Sequence, residues 1–299
     1  DMIGPQGYCA DISRTLHCGP AMPTRRQKEL YRLALDEIEK IIAENAPGGL
    51  LVIPTDNPTG QFLNQRQLID LAKICVNHNI WIMSDEAYRQ LYYGEDGSSS
   101  IWKITEEDVP GITGSRISIE SSSKVWNACG LRIGGLVTDN LDFHTKAVSE
   151  YTANLCANAI GQEIFGSLAH ESHHDLNAWY QRQRDYYSGL IMPLRENLMK
   201  EIPGLIVSNP EAAIYFVIDF RNICADTFDS RDFVKYCASK GKVRIDDQEF
   251  TLLLAPMNGF YSDPKKGKTQ MRVAMVVPKK LIEKTPLILS GLYTAYLNE

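Results

Sequence analysis

The sequence predicts an α/β protein in two parts: a three-layer α/β/α domain with a mostly parallel sheet over residues 1–189, and a smaller C-terminal α+β domain over 190–299. Three observations carry this reading. Strand-like and helix-like segments alternate through the first half, the pattern of a parallel sheet with helices on both faces. From about Leu141 the character changes to long helical segments followed by short strands. The chain has 299 residues, a length that suits two domains or one large one.

The elements follow in order. Leu30 to Glu44 (LYRLALDEIEKIIAE) places apolar residues at the helical spacing, and Pro47-Gly48-Gly49 stops the run. Leu50-Leu51-Val52-Ile53-Pro54 reads as a short buried strand, with Asn57-Pro58-Thr59-Gly60 as a turn beyond it. Leu63 to His78 is a second amphipathic helix. Ile80 to Asp85 is a second apolar strand and ends in a carboxylate; Arg116–Glu120 and Leu131–Thr138 are the third and fourth. In the second half, a long helix spans Asp175 to Glu201. Strands are expected at Ile214–Asp219, Val243–Ile245, Thr251–Leu254 and Met271–Val276, and a closing helix over Lys279–Asn298. No internal repeat interrupts this order.

Composition narrows the function class. Hydrophobic residues make up 44% and charged residues 23%, ordinary for a globular protein. The net charge of −6 gives no electrostatic case for nucleic acid, and the knot Lys265-Lys266-Gly267-Lys268 reads as a solvated loop. Cysteines stand at Cys9, Cys18, Cys75, Cys129, Cys156, Cys224 and Cys237, an odd number without a Cys-x-x-Cys pair. That argues against a disulfide framework and against a metal site, and fits a reducing, cytoplasmic compartment. No apolar run is long enough to span a membrane, so no membrane partner is expected.

The chemistry concentrates in Ser121–Gly135 (SSSKVWNACGLRIGG). The Lys124 amine can form a Schiff base with an aldehyde, while Ser121, Ser123 and Arg132 can hold a phosphate beside it. That pairing suggests pyridoxal phosphate carried on Lys124. A plain polar loop is the other reading of the same residues. Asn57, Asp85 and Lys124 all lie at or just past the carboxyl ends of expected strands, where open α/β sheets place ligands. Asp85 facing a pyridine nitrogen would keep it protonated; capping a helix is the alternative. Tyr88, three residues on, can reach the cofactor's phenolic oxygen, or serve as a half-buried tyrosine. Asn57 is a second donor to that oxygen, or simple turn chemistry before Pro58. Arg272 sits in an otherwise apolar strand (Gln270-Met271-Arg272-Val273-Ala274), where its fork suits an α-carboxylate or a salt bridge at a domain edge.

Asn57-Pro58-x-Gly60, Ser84-Asp85-Glu86-x-Tyr88, Ser121-x-Ser123-Lys124 with Arg132, and late Arg272 occur in this order. Together they resemble the class I/II aminotransferases, the aspartate aminotransferase family of fold-type I pyridoxal phosphate enzymes. The resemblance implies transfer of an amino group between an amino acid and a 2-oxo acid. It implies Lys124 as the Schiff-base lysine and proton carrier, and Asp85 as the pyridine-nitrogen partner. Asn57 and Tyr88 fall on the donors to the phenolic oxygen. Ser121, Ser123 and Arg132 fall on the phosphate ligands, Arg272 on the substrate-carboxylate arginine, and Tyr8 on the aromatic ring that stacks on the pyridine. Leu254-Ala255-Pro256 with Gly259-Phe260-Tyr261 and Gly267-Lys268 resembles a bacterial-type branch with aspartate- and alanine-like specificities. A homodimer is also implied, because the family's sites lie at a subunit interface. Family members carry a long segment before the counterpart of Tyr8, including a phosphate-binding loop that this chain does not supply, so a truncated start is expected. Another reaction on the same fold (a lyase or cyclase) and a non-catalytic remnant are the alternatives.

Overall fold

A computed structural model describes residues 2–3, 25–153, 158–263 and 265–299. The first half builds a five-stranded sheet in the order β1 (Met2–Ile3), β2 (Gly49–Val52), β3 (Trp81–Asp85), β4 (Arg116–Ser121) and β5 (Gly134–Thr138). The pairs β1–β2, β2–β3 and β3–β4 are parallel, and β5 runs antiparallel to β4. The α/β class and the mostly parallel sheet therefore match the expectation.

Helices cover both faces, for reasons visible in the residue periods. α1 (Arg25–Asn45) turns Ala34, Ile38 and Ile42 inward at a four-residue spacing. α2 (Gln65–Asn77) starts at a capping box, in which the Asn64 side chain takes the Gln67 N–H and the Gln67 side chain takes the Asn64 N–H. Its Leu68, Leu71, Ala72 and Cys75 are buried. These stripes pack with Leu50, Val52 and Ile82, the residues that point to one face of β2 and β3. Trp81 points to the other face, where its ring meets Phe143 of α3 (Leu141–Ala153) at 5.4 Å.

Two shorter connections precede the second half: α4 (Ala159–Gly166) and a 3₁₀ turn over Ser167–His170. α5 (His173–Glu201) then runs unbroken past position 189, with Ser172 as its N-cap. It delivers Leu190, Ile191, Leu194 and Leu198 to a core shared with Phe216, Ile218, Phe220, Met271 and Val273. That core lies on an antiparallel sheet of β6 (Ile206–Val207), β7 (Tyr215–Asp219), β10 (Ala255–Pro256) and β11 (Gln270–Ala274), in the order β10-β11-β7-β6.

Three local expectations are corrected. Residues 129–131 form a 3₁₀ turn, and β5 begins only at Gly134, whose missing side chain lets it pass 2.8 Å (for an added Cβ) from the Glu120 carbonyl oxygen. Thr251–Leu254 is not a strand. Asp246 and Asp247 both take positive φ (48° and 60°), a tight hairpin turn that pairs β9 (Gln248–Phe250) with β8 (Val243–Ile245) instead. After α6 (Ser230–Ser239), the closing helix is two pieces, α7 (Lys279–Ile282) and α8 (Thr285–Leu297), because Pro286 lacks an N–H and must sit in a first turn.

Candidate active site at the strand ends

The sheet order places β2, β3 and β4 side by side and parallel, so their carboxyl ends share one edge. Asp85 is the last residue of β3, Asn57 lies in the turn that follows β2, and Lys124 in the turn that follows β4. The Asn57 turn is closed locally: Asp56 Oδ2 accepts from the Thr59 N–H at 3.2 Å and from its hydroxyl. Gly60 ends it with φ +72°, and a Cβ there would stand 2.2 Å from the Tyr215 carbonyl oxygen. Its own carbonyl accepts from the N–H groups of Glu211 and Ala212 at 2.7 and 2.8 Å. Only glycine satisfies both the backbone angle and that approach.

The Lys124 turn is held from α5. Trp179 donates its indole N–H to the Val125 carbonyl at 3.0 Å. Asn127, with φ +51°, donates to Gln183 Oε1 and accepts from the Tyr187 hydroxyl, both at 2.9 Å. Trp126 stacks on Trp179 at 6.1 Å. Lys124 Nζ itself lies 5.9 Å from the centre of the Tyr88 ring.

Tyr88 links the two sheets. Its hydroxyl meets the Tyr215 hydroxyl at 2.9 Å, with the rings edge to face at 5.7 Å. Burial first, then Tyr215, then the neighbouring Asp85 push the Tyr88 phenol far above its ordinary range, so it stays protonated and able to donate. Burial also raises the Asp85 carboxyl, against the Ala87 N–H it accepts at 3.1 Å. Asp85 caps no helix: residues 87–90 are turn.

Arg272 comes from β11 and crosses to the first sheet. Its Nη1 donates to Asn57 Oδ1 at 2.7 Å. The guanidinium lies 4.6 Å from the Tyr215 ring centre and 5.5 Å from that of Phe260. Among the described residues it has no carboxylate partner, and its Nε is buried without a hydrogen bond. The salt bridge at a domain edge is thus absent there, and an unsatisfied buried donor of about 1–3 kcal/mol cost remains.

The residues expected to hold a phosphate are less convergent. The Ser121 hydroxyl accepts from the Ser123 N–H at 3.0 Å within its own turn. The Arg132 backbone, at φ +52°, passes close to this turn, since Ile133 accepts from the Ser122 N–H at 3.1 Å. Its side chain, however, is exposed and donates to the Cys129 carbonyl at 2.9 Å. Tyr8 lies outside the described residues. A cavity of about 400 Å³ borders the same loop, lined by Trp126, Phe165, Leu168, Trp179 and Arg182, and includes none of the expected residues.

Sequence reasoning missed Tyr215 and the α5 residues Trp179, Gln183 and Tyr187, and it noted Phe260 only within a branch motif. Tyr215 stood in the strand Ile214–Asp219 as one more apolar position, with nothing local to separate it from Phe216. It also missed the support under Asp85. Glu86 is buried and accepts from the Ser100 hydroxyl at 2.7 Å, the Ile101 N–H at 2.9 Å and Arg89 at 2.6 Å. Arg89 in turn reaches Glu120 at 2.8 Å, tying β3's end to β4.

A probable aspartate/prephenate aminotransferase of Aquifex aeolicus is 24% identical over 224 residues, covering 75% of this chain and 55% of that protein. An aspartate aminotransferase of a Bacillus species is 26% identical over 197 residues, covering 66% of this chain and 48% of that protein. The chain spans about half the length of these curated relatives. Among solved structures, an α-aminoadipate aminotransferase of Thermus thermophilus superposes with a TM-score of 0.73 at 19% identity, covering 88% of this chain and 63% of that one. At that identity the likeness speaks for the fold, which is thereby the aminotransferase fold. The aminotransferase class I and II family matches residues 15–283, most of the chain, and the chain belongs to that family.

Proposed function

We propose that the protein acts in pyridoxal phosphate-dependent transfer of an amino group between an amino acid and a 2-oxo acid. The observation that carries this reading is the convergence of Lys124, Asp85, Tyr88 and Asn57 on one sheet edge, opposite an Arg272 without a carboxylate partner among the described residues. The relatives named above as aspartate aminotransferases support it.

The residues present fit the ring end of the cofactor. When bound, pyridoxal phosphate supplies an electron-withdrawing ring that stabilises negative charge at a substrate's Cα. Lys124 would hold the aldehyde and move a proton at that carbon. Asp85 would hold a proton on the ring nitrogen; the cost of its ionisation in a buried place is offset by that positive charge. Tyr88 would donate to the phenolic oxygen, and so would Asn57 through its amide nitrogen, since its oxygen is taken by Arg272. The free edge of the Arg272 fork, close to the rings of Tyr215 and Phe260, would receive the substrate α-carboxylate by paired hydrogen bonds. Ser121, Ser123 and Arg132 would meet the phosphate, Arg132 after letting go of the Cys129 carbonyl. Tyr8 is proposed as the stacking ring.

The finer assignments belong to the same proposal. Residues 1–189 form the cofactor-binding part and 190–299 the smaller part. A homodimer fits the apolar residues exposed on β5, α3 and α4, among them Leu136, Val137, Val148, Tyr151, Ile160 and Ile164. A cytoplasmic location fits the free cysteines Cys75, Cys129, Cys224 and Cys237. Among the described residues no helix is long and apolar enough to cross a membrane.

The deciding experiment adds pyridoxal phosphate to the purified chain, reduces with borohydride, and maps the label by mass spectrometry. A label on Lys124, with amino transfer from an amino acid to a 2-oxo acid, supports the reading. A label elsewhere on folded protein removes it. A monomeric mass in solution removes the dimer.

A further inference from the structure

We propose that Tyr215 is a positioning residue for both ends of this site: its hydroxyl sets the direction in which Tyr88 donates, and its ring holds the Arg272 fork in the plane that meets a carboxylate. The inference rests on the function proposed above and adds a residue to it.

The sheet register brings the two residues together. In the β7–β11 pair, Tyr215 stands opposite Ala274, and Arg272 opposite Val217. Tyr215 and Arg272 are therefore diagonal neighbours on one face, within reach of a long side chain and an aromatic ring. The guanidinium indeed lies 4.6 Å from the ring centre. The Phe260 ring centre is also near, 5.5 Å from the guanidinium carbon. Such stacking leaves the in-plane N–H groups for hydrogen bonds, one of which already goes to Asn57.

The hydroxyl has a separate task. Tyr215 is buried, and a buried hydroxyl needs a partner; Tyr88 is that partner at 2.9 Å. Each phenol has one proton to give. When Tyr215 donates to Tyr88, the Tyr88 proton is left for an acceptor in the site. A phenylalanine at 215 would fill the same space and supply no such donor. The backbone of Tyr215 adds a third link, because its carbonyl is the atom against which Gly60 closes the Asn57 turn. Donor, fork and turn thus share one residue.

The test uses the full chain with Tyr215→Phe, which removes only the hydroxyl, and Tyr215→Met, which removes the ring but keeps much of the volume. In cofactor-free protein labelled with ζ-¹³C tyrosine, the Tyr88 resonance, assigned through Tyr88→Phe, is expected to move in Tyr215→Phe. Binding of 2-oxoglutarate is expected to be unchanged in Tyr215→Phe and about tenfold weaker in Tyr215→Met, a loss typical of a cation–π contact. In protein loaded with pyridoxal phosphate, the pH midpoint of the visible absorbance should rise by about half to one unit in Tyr215→Phe, the size of one hydrogen bond. A Tyr88 signal or a midpoint that stays at the wild-type value overturns the inference. So does equal weakening of 2-oxoglutarate binding in both variants, which a merely structural role would produce. Should Tyr215→Met fail to fold, Tyr215→Phe alone decides, because the inference requires it to move the Tyr88 readouts and spare 2-oxoglutarate. If the cofactor-free results hold while wild-type protein carries no cofactor on Lys124, the proposed function falls and the positioning of Arg272 stands.

Discussion

The site is framed by two strands in opposite surroundings. All five residues of β7 are buried, whereas four of the five in β5 are exposed. β7 lies between two other strands with α5 and α8 packed over it; β5 pairs with β4 and has no second neighbour among the described residues. The carboxylate-binding side, Arg272 with Tyr215, grows from the first environment. Arg132 leads into the second, and Ser121 and Ser123 lie at the end of its neighbour β4. Interior packing can hold a side chain in one geometry without a ligand, as it does the Arg272 fork. At the exposed edge Arg132 folds back on its own turn. Lys124 sits at the seam, steadied by Trp179, Gln183 and Tyr187 from the long helix.

The contrast can be broken most decisively at the seam. Lys124→Ala should lower amino transfer by about 10³-fold or more, the scale of a lost proton carrier and covalent anchor. Stability should stay within about 0.5 kcal/mol, since the turn is held by its neighbours. A large loss of stability would mean that Lys124 supports the fold. Next come the two strands themselves. Phe216→Ala, in the buried strand, should cost about 3–5 kcal/mol in urea unfolding, and Leu136→Ala, in the exposed one, less than about 0.5 kcal/mol for the monomer. Similar costs would erase the comparison.

The two arginines sharpen it. Arg272→Gln should raise the KM for the amino acid about 10²-fold, because a paired charged contact is lost from a prepared place. Arg132→Gln should weaken cofactor binding by a smaller factor, about tenfold, and leave that KM alone. At Asp85 the effect on the cofactor-free protein is small and is read through pH. Burial raises its pKa above the ordinary 3.8, so the stability of the protonated form is fully present below that value. It is lost as pH rises through the raised, folded-state value. Asp85→Asn does not titrate and keeps an oxygen for the Ala87 N–H. The cofactor-free variant should therefore gain Tm over wild type as pH climbs from about 3.8, and show no gain in acid. Loaded with cofactor it should transfer amino groups about 10²-fold more slowly. A Tm gap that does not change with pH would show that Asp85 carries no burial cost.

Much of this was legible in the chain. Helical periods marked α1 and α2, and apolar runs ending in polar residues marked β2, β3 and β4, because local side-chain alternation encodes which face is buried. The strand-end rule then brought Asn57, Asp85 and Lys124 together before any coordinates. Boundaries near special backbone angles were not legible: the Asp246-Asp247 turn and the late start of β5 depend on hydrogen-bond partners elsewhere in the chain.

By itself, the sequence determined the α/β class, the order of the elements and the residue types that could carry an aldehyde cofactor, since these follow from period, spacing and chemistry along a line. Tertiary structure decided which of them meet. Asn57 lies against Arg272, 215 positions away in the chain. Tyr88 finds its partner in Tyr215, 127 positions away, where Gly60 lets the turn after β2 close on the Tyr215 carbonyl. Such contacts come from packing between distant segments, and no local pattern records them.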